Sequence, residues 1–216
     1  MKTNSDRKRF YQNKREIRRN EIVQGLHRCI IKHGYVHTKI RDIATEAGLP
    51  FSLIHHYFDT KEDIVVMLVK QLYETFKQAF ELSMKDYQDL KPDEQLRVGV
   101  EFLFTNLYLD RDLYTIIYEV MVIGHRVHEV NDILKQVFSW YRKEVAQFIR
   151  GLAEKVSVTI ADIENLAFYI VSACEGAGLQ WFIDQESVEM DNVKQLCYDH
   201  LHTLLKMGDR QKNESK

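Results

Sequence analysis

The sequence predicts an all-α protein of about nine helices, a three-helix N-terminal head carrying a helix-turn-helix and a larger C-terminal helical bundle. Three observations predict it. Two prolines and nine glycines in 216 residues leave few helix breakers, while Leu, Ile, Glu, Lys and Gln abound. Apolar residues recur three or four apart along most of the chain. Between Thr38 and Ile64 that period is cut into a short helix, a glycine turn, a second short helix and the capped start of a third.

Residues 1–14 hold Lys2, Arg7, Lys8, Arg9 and Lys14 without an apolar period. They are expected to form a basic flexible arm, either touching phosphates or a minor groove, or a tail without a role. Ile17, Ile22, Val23, Leu26, Ile30 and Ile31 predict a first helix over 15–33. Ile40, Ile43, Ala44 and Ala47 give the next helix one buried face, and Gly48 allows the sharp turn after it. Leu49, Leu53, Ile54, Tyr57 and Phe58 form a second apolar stripe. A short helix held out by such a turn has the outline of one that enters a DNA major groove.

Thr60-Lys-Glu-Asp63 reads as a capping box. The helix it opens carries Ile64, Met67, Leu68, Leu72, Phe76, Phe80 and Met84, runs to about Tyr87, and is expected to link head to body as a lever. Pro92, Asp93 and Glu94 suit another helix start, since proline fits a first turn and carboxylates favour the positive end of the dipole. Further helices fit 92–109, 111–123, 129–155, 160–185 and 189–207, with Gly124 and Gly151 weakening or ending their segments. Thr159-Ile-Ala-Asp162 reads as a second capping box. The expected organisation is an arm (1–14), a helix-turn-helix head (15–61), a body (62–207) and a tail (208–216).

The formal net charge of −2 hides an uneven distribution. Residues 1–61 hold 13 Lys and Arg against 6 Asp and Glu; residues 62–216 hold 17 against 26. A basic head on an acidic body is the footprint of a DNA-binding domain joined to a part that avoids DNA. No window offers eighteen apolar residues without a charge, and the polar, basic N-terminus has no apolar segment behind it, so neither a membrane span nor a secretory signal is expected. Cys29, Cys174 and Cys197 are far apart and odd in number, which fits buried reduced thiols of a cytoplasmic protein.

The run from Gly34-Tyr35 through Thr38, Ile43-Ala44, Ala47-Gly48, Tyr57-Phe58 and Lys61 resembles the TetR family of transcriptional regulators. The resemblance implies that Thr38 caps the helix before the turn and places its hydroxyl on a phosphate. Arg41 would reach a phosphate or a base edge. Pro50, Phe51, Ser52, Leu53, His55 and His56 fall on the reading helix, while Tyr57 and Lys61 match positions that grip the DNA backbone. Phe51 offers only apolar contact, for instance with a thymine methyl, which leaves Ser52 and His56 as candidates for base hydrogen bonds. Lys61→Ala is expected to weaken binding on every sequence and to lower the salt slope.

The resemblance also implies a double-stranded, palindromic DNA operator, a homodimer and a small-molecule effector. Phe104, Tyr108, Tyr114, Ile117, Tyr118, Met121, Trp140 and Tyr141 are the expected lining of a mostly apolar effector pocket, or alternatively plain core. Leu166, Ile170, Ala173, Ala177, Trp181, Leu196, Leu201 and Leu204 are the expected dimer interface, with Ala173, Gly176, Ala177 and Gly178 permitting close approach. His125-Arg-Val-His128-Glu129 lacks zinc-protease spacing, and neither a metal nor a cofactor is expected. No nucleophile–base pair or phosphate loop points to an enzyme. The leading expectation is a ligand-responsive repressor. The alternatives are a helical interaction module that no longer reads DNA and, more remotely, a catalyst.

Overall fold

The computed structural model describes residues 4–85, 87, 89–105 and 111–206, with side chains from residue 12 onward except at position 105. Among the described residues there are nine helices and no strand. The helices are α1 (Asn4–His33), α2 (Ile40–Ala47), α3 (Phe51–Tyr57), α4 (Lys61–Ser83), α5 (Pro92–Thr105), α6 (Arg111–Gly124), α7 (His128–Lys155), α8 (Ile163–Ile183) and α9 (Met190–Leu204). The chain divides into two compact units, Met1–Glu74 with Thr115–Leu134, and Thr75–Tyr114 with Lys135–Lys216. The division falls inside α4, α6 and α7 rather than at the 61/62 boundary read from sequence.

In the first unit, α1 packs on α2 and α3. Ile22, Val23, Leu26 and Ile30 of α1 are buried, as are Ile43 and Ala44 of α2 and Ile54 of α3. Each such side chain contributes about 1.5–3 kcal/mol by leaving water. A Cβ at Gly25 would stand 2.7 Å from the Ile43 carbonyl oxygen, so α1 and α2 approach as closely as they do only with glycine there. At the rim, the Glu46 carboxylate accepts from Lys32 at 2.6 Å and lies 3.4 Å from Arg28. The Lys32 hydrogen bond is the main cause that holds the Glu46 carboxyl below its ordinary range. Solvent screens this exposed cluster, so it orients the helices more than it stabilises them.

Helix α1 corrects the expectation of a flexible arm over 1–14, because it is already helical from Asn4. Arg, Lys, Gln and Glu extend a helix at little cost, and the buried half downstream supplies the nucleus that an isolated arm lacks. Gly124 ends α6 as read from sequence, whereas Gly151 lies inside α7. The second capping box is also corrected. Asp162, not Thr159, is the N-cap of α8, accepting from the Asn165 N–H at 3.0 Å.

In the second unit, α5 packs on α8 and α9, and α8 packs on α9. Helix α8 buries Ala167, Ile170, Val171, Cys174, Ala177 and Gly178 while leaving Phe168, Tyr169, Leu179 and Ile183 exposed. By length and a mean hydropathy of 1.3 it is apolar enough to cross a membrane, with 28% of that window buried. The most apolar eighteen residues of α8 still include the charged Glu175, as the sequence-based expectation of no uncharged apolar window requires.

Candidate nucleic-acid interface

The turn between α2 and α3 is closed by a Schellman pair, in which Gly48 N–H donates to Thr45 O at 3.1 Å and Leu49 N–H to Ala44 O at 3.0 Å. Gly48 sits at φ +66°, a left-handed conformation that a side chain would strain. Within α3 only Ile54 is buried. Phe51, Ser52, His55 and His56 are exposed, and Leu53 and Tyr57 are half-buried. The side chains assigned to base reading thus stand on the outer face of the helix. Phe51 keeps 43% of its surface in water. The exposed Arg41 guanidinium lies 5.4 Å from the Phe51 ring centre, and the His55 ring meets that ring edge-on at 5.1 Å. Arg19 holds the far end of α3, its guanidinium 4.5 Å from the Phe58 ring centre and donating to Tyr57 O at 3.4 Å.

Two of the residues assigned to the DNA backbone are engaged within the chain, and Thr38 is not the cap of α2. Thr38 is buried, and its hydroxyl donates inward to Gly34 O at 2.8 Å. The N-cap of α2 is Lys39, whose N–H donates to Asp42 Oδ2 at 2.8 Å. Thr38 faces inward, where its hydroxyl supplies a donor to the carbonyl of the half-buried Gly34. Lys61 is half-buried, with its ammonium donating to Tyr35 O at 3.0 Å and Thr38 O at 2.9 Å and lying 3.9 Å from the Tyr35 ring centre. Desolvation lowers the Lys61 pKa. The capping box ahead of it is as read from sequence, with Thr60 N–H donating to Asp63 Oδ2 at 2.9 Å and Asp63 N–H to Thr60 Oγ1 at 3.1 Å.

The expected pocket residues do not form one set. Tyr108 lies outside the described residues, and Ile117, Tyr118 and Met121 fall in the first unit. In the second unit, Phe104, Tyr114 and Tyr141 are buried and Trp140 is half-buried. Phe76 stands edge-on to Trp140 at 5.6 Å and to Tyr141 at 5.3 Å, and Phe80 edge-on to Trp140 at 5.4 Å and Phe102 at 5.2 Å. Tyr114 stacks on Phe182 at 5.7 Å. The Tyr141 hydroxyl is buried with no hydrogen-bond partner among the described residues, and burial pushes its pKa well up. Sequence reading missed Phe76 and Phe80 as members of this aromatic cluster, having taken both for the stripe of a linking helix.

The expected dimer residues are split as well. Ile170, Ala177 and Leu201 are buried inside the chain, Leu166 and Trp181 are half-buried, and Ala173, Leu196 and Leu204 are exposed. Phe168, Tyr169, Leu179 and Ile183 are exposed apolar residues of α8, of which sequence reading missed Phe168 and Tyr169. Their signal was an apolar surplus over what one buried face needs. His125 lies between α6 and α7, and His128 opens α7, 3.7 Å from Asp132. Cys29 and Cys174 are buried and Cys197 is half-buried, all as free thiols. Burial pushes the Cys29 and Cys197 thiols up to about 11.

Residues 22–68 match the family model of bacterial regulatory proteins, tetR family. Over 192 residues the chain is 25% identical to the HTH-type transcriptional regulator PksA of Bacillus subtilis, covering 88% of this chain and 90% of that one. It is 22% identical over 167 residues to the HTH-type nicotine-responsive transcriptional repressor HdnoR of Paenarthrobacter nicotinovorans, covering 77% and 84%. A TetR transcription regulator from Haloarcula marismortui shares the fold with a TM-score of 0.74 at 21% identity, over 87% of this chain and 98% of that one. The matched segment spans the braced turn and the outward face of α3, and the likeness in fold extends over the body. Residues 22–68 thus carry the helix-turn-helix of the tetR family, and over most of its length the chain is similar to DNA-binding transcriptional regulators of that family.

Proposed function

We propose that the chain acts as a homodimeric repressor that binds a palindromic DNA operator and leaves it when a hydrophobic or amphipathic small molecule enters the second unit. The carrying observation is the outer face of α3, where Phe51, Ser52, His55 and His56 stand in water behind a single buried Ile54. Two such helices, held about one DNA turn apart, near 34 Å, would enter successive major grooves on one side of the duplex. Arg41 and the basic residues of α1 would supply phosphate contacts, and Ser52 and His56 base contacts. A regulator of this kind works where the chromosome is, in the cytoplasm.

The exposed Phe168, Tyr169, Leu179 and Ile183 of α8 support self-association, since large apolar side chains gathered on one exposed helix mark an interaction site. The orphaned Tyr141 hydroxyl among Phe76 and Trp140 supports a ligand site, because a buried polar atom without a partner is what a ligand's polar group satisfies. The relative described as a nicotine-responsive repressor supports both repression and a small-molecule response. Release requires the ligand to prefer the non-binding conformation. Driving a full switch takes about a 10⁴-fold preference, because equal affinity for both states shifts nothing.

The test is selection of bound duplexes from a random double-stranded pool, followed by titration across salt. A two-fold symmetric consensus with a steep salt slope is the expected result. Enrichment of no sequence would sink the reading. The exposed Phe51 ring favours one competitor, a head that binds protein rather than DNA, and a salt-insensitive duplex interaction would point there.

A further inference from the structure

We infer that Lys61 and Glu119 form a two-sided clamp on the two peptide groups flanking Tyr35 that sets the direction of α2 and α3, making Lys61 a positioning residue rather than a phosphate contact. The inference deepens the DNA-reading proposal above and rests on it. Tyr35 lies in the short connection between His33, the end of α1, and Ile40, the start of α2. Its N–H donates to Glu119 Oε2 of α6 at 3.2 Å, while its carbonyl accepts from Lys61 Nζ of α4 at 3.0 Å. The same ammonium holds Thr38 O at 2.9 Å, one residue before the α2 cap. The Tyr35 phenol donates to Glu62 Oε1 at 3.3 Å, so α4 grips the residue by backbone and ring together.

The approach of Glu119 depends on Gly34. This residue sits at φ +74°, and a Cβ there would stand 2.8 Å from Glu119 Oε1. Only glycine satisfies both the left-handed turn and the carboxylate beside it. Few residues connect α1 to α2, so a rotation of either peptide is passed to α2 and, through the Gly48 turn, to the reading face of α3. For Lys61 to reach a phosphate instead, it would have to give up two charge-assisted hydrogen bonds and a ring contact. Leaving would also take the ammonium from the Thr38 carbonyl, while Tyr35 O would keep the Thr38 N–H at 3.2 Å.

The test compares Lys61→Met, Glu119→Leu and Glu119→Gln with the wild type. Each is titrated with the selected operator and with a random-sequence duplex over a range of salt. Lys61→Met and Glu119→Leu should each lose about tenfold on the operator, as misaligned base contacts do, with random-duplex affinity and salt slope unchanged. Glu119→Gln should keep operator affinity, because its amide oxygen still accepts the Tyr35 N–H. A salt slope lowered by about one, with equal loss on both duplexes, would identify a phosphate contact and overturn the clamp. Unchanged operator affinity beside a lowered melting temperature would leave only a structural role, overturning it too.

Amide exchange in the DNA-free protein reads the clamp separately. Faster exchange across residues 34–42 in Lys61→Met and Glu119→Leu is expected, and unaltered protection would overturn the proposal. A wild type indifferent to DNA sequence, with that exchange result intact, would sink the DNA-reading proposal instead, leaving the clamp without a reading role.

Discussion

Helices α3 and α8 both leave large apolar side chains in water, but their surroundings differ in kind. On α3 the exposed ring of Phe51 stands alone, framed by Arg41 and His55, with Ser52 and His56 beside it. On α8, Phe168, Ser172, Leu179 and Ile183 recur at helical spacing along one exposed stripe, with Tyr169 flanking it. A single exposed apolar side chain is ordinary on any protein surface; a continuous row is not. On the proposed reading, the first face would meet polar groove edges and phosphates, and the second another apolar surface. The contrast teaches that exposure acquires meaning from what surrounds the exposed residue.

The largest effect should come from charging the α8 stripe. Phe168→Glu with Leu179→Glu should weaken self-association by about 4 kcal/mol, roughly a thousandfold, read by sedimentation, without lowering the stability of the isolated chain. An unchanged association state would break the comparison. On the opposite side of α3, Ile54→Ala should cost about 2–4 kcal/mol in thermal unfolding, because it empties a buried site of the head. Its outward neighbours should behave otherwise: Ser52→Ala and His56→Ala should leave stability unchanged while altering base preference by about 1–3 kcal/mol per half-site. If either lowered the melting temperature as Ile54→Ala does, the outer face of α3 would be packing rather than presenting.

The smallest effect concerns the interiors behind both faces. Cys29 and Cys197 ordinarily titrate near 9 but are held up to about 11 in the folded chain. Above pH 9 the unfolded thiols lose protons that the folded ones keep, so stability falls as pH rises through that window. At about pH 9.5 each thiol should cost less than about 1 kcal/mol. Cys29→Ala with Cys197→Ala should flatten the alkaline slope of the melting temperature, and a slope unaffected by the pair would refute the assignment.

Much of the fold was legible in the residues themselves. Apart from the start of α1, the helical period located the helices to within a few residues, and Thr60 with Asp63 announced a cap that forms as read. Departures arose where a side chain had two possible partners. Thr38 and Lys61 stand at positions where the family resemblance suggests phosphate, yet both are engaged by carbonyls of the turn after α1. Pattern records that a residue is polar, not which way it points. Helix α8 misled for another reason: its apolar residues cover two faces, and periodicity alone does not separate an inward row from an outward one.

By itself the sequence settled the all-helical class, the turn at Gly48 and the outer identity of α3, because all three follow from local rules of period, capping and backbone strain. Tertiary structure alone decided that Ile170 and Leu201 face inward while Phe168 faces water, and that Lys61 and Glu119 both engage the backbone of Tyr35. Such pairings join residues as far apart as Tyr35 and Glu119. No local preference specifies them, because they exist only once the helices have packed and each buried polar group has had to find its partner.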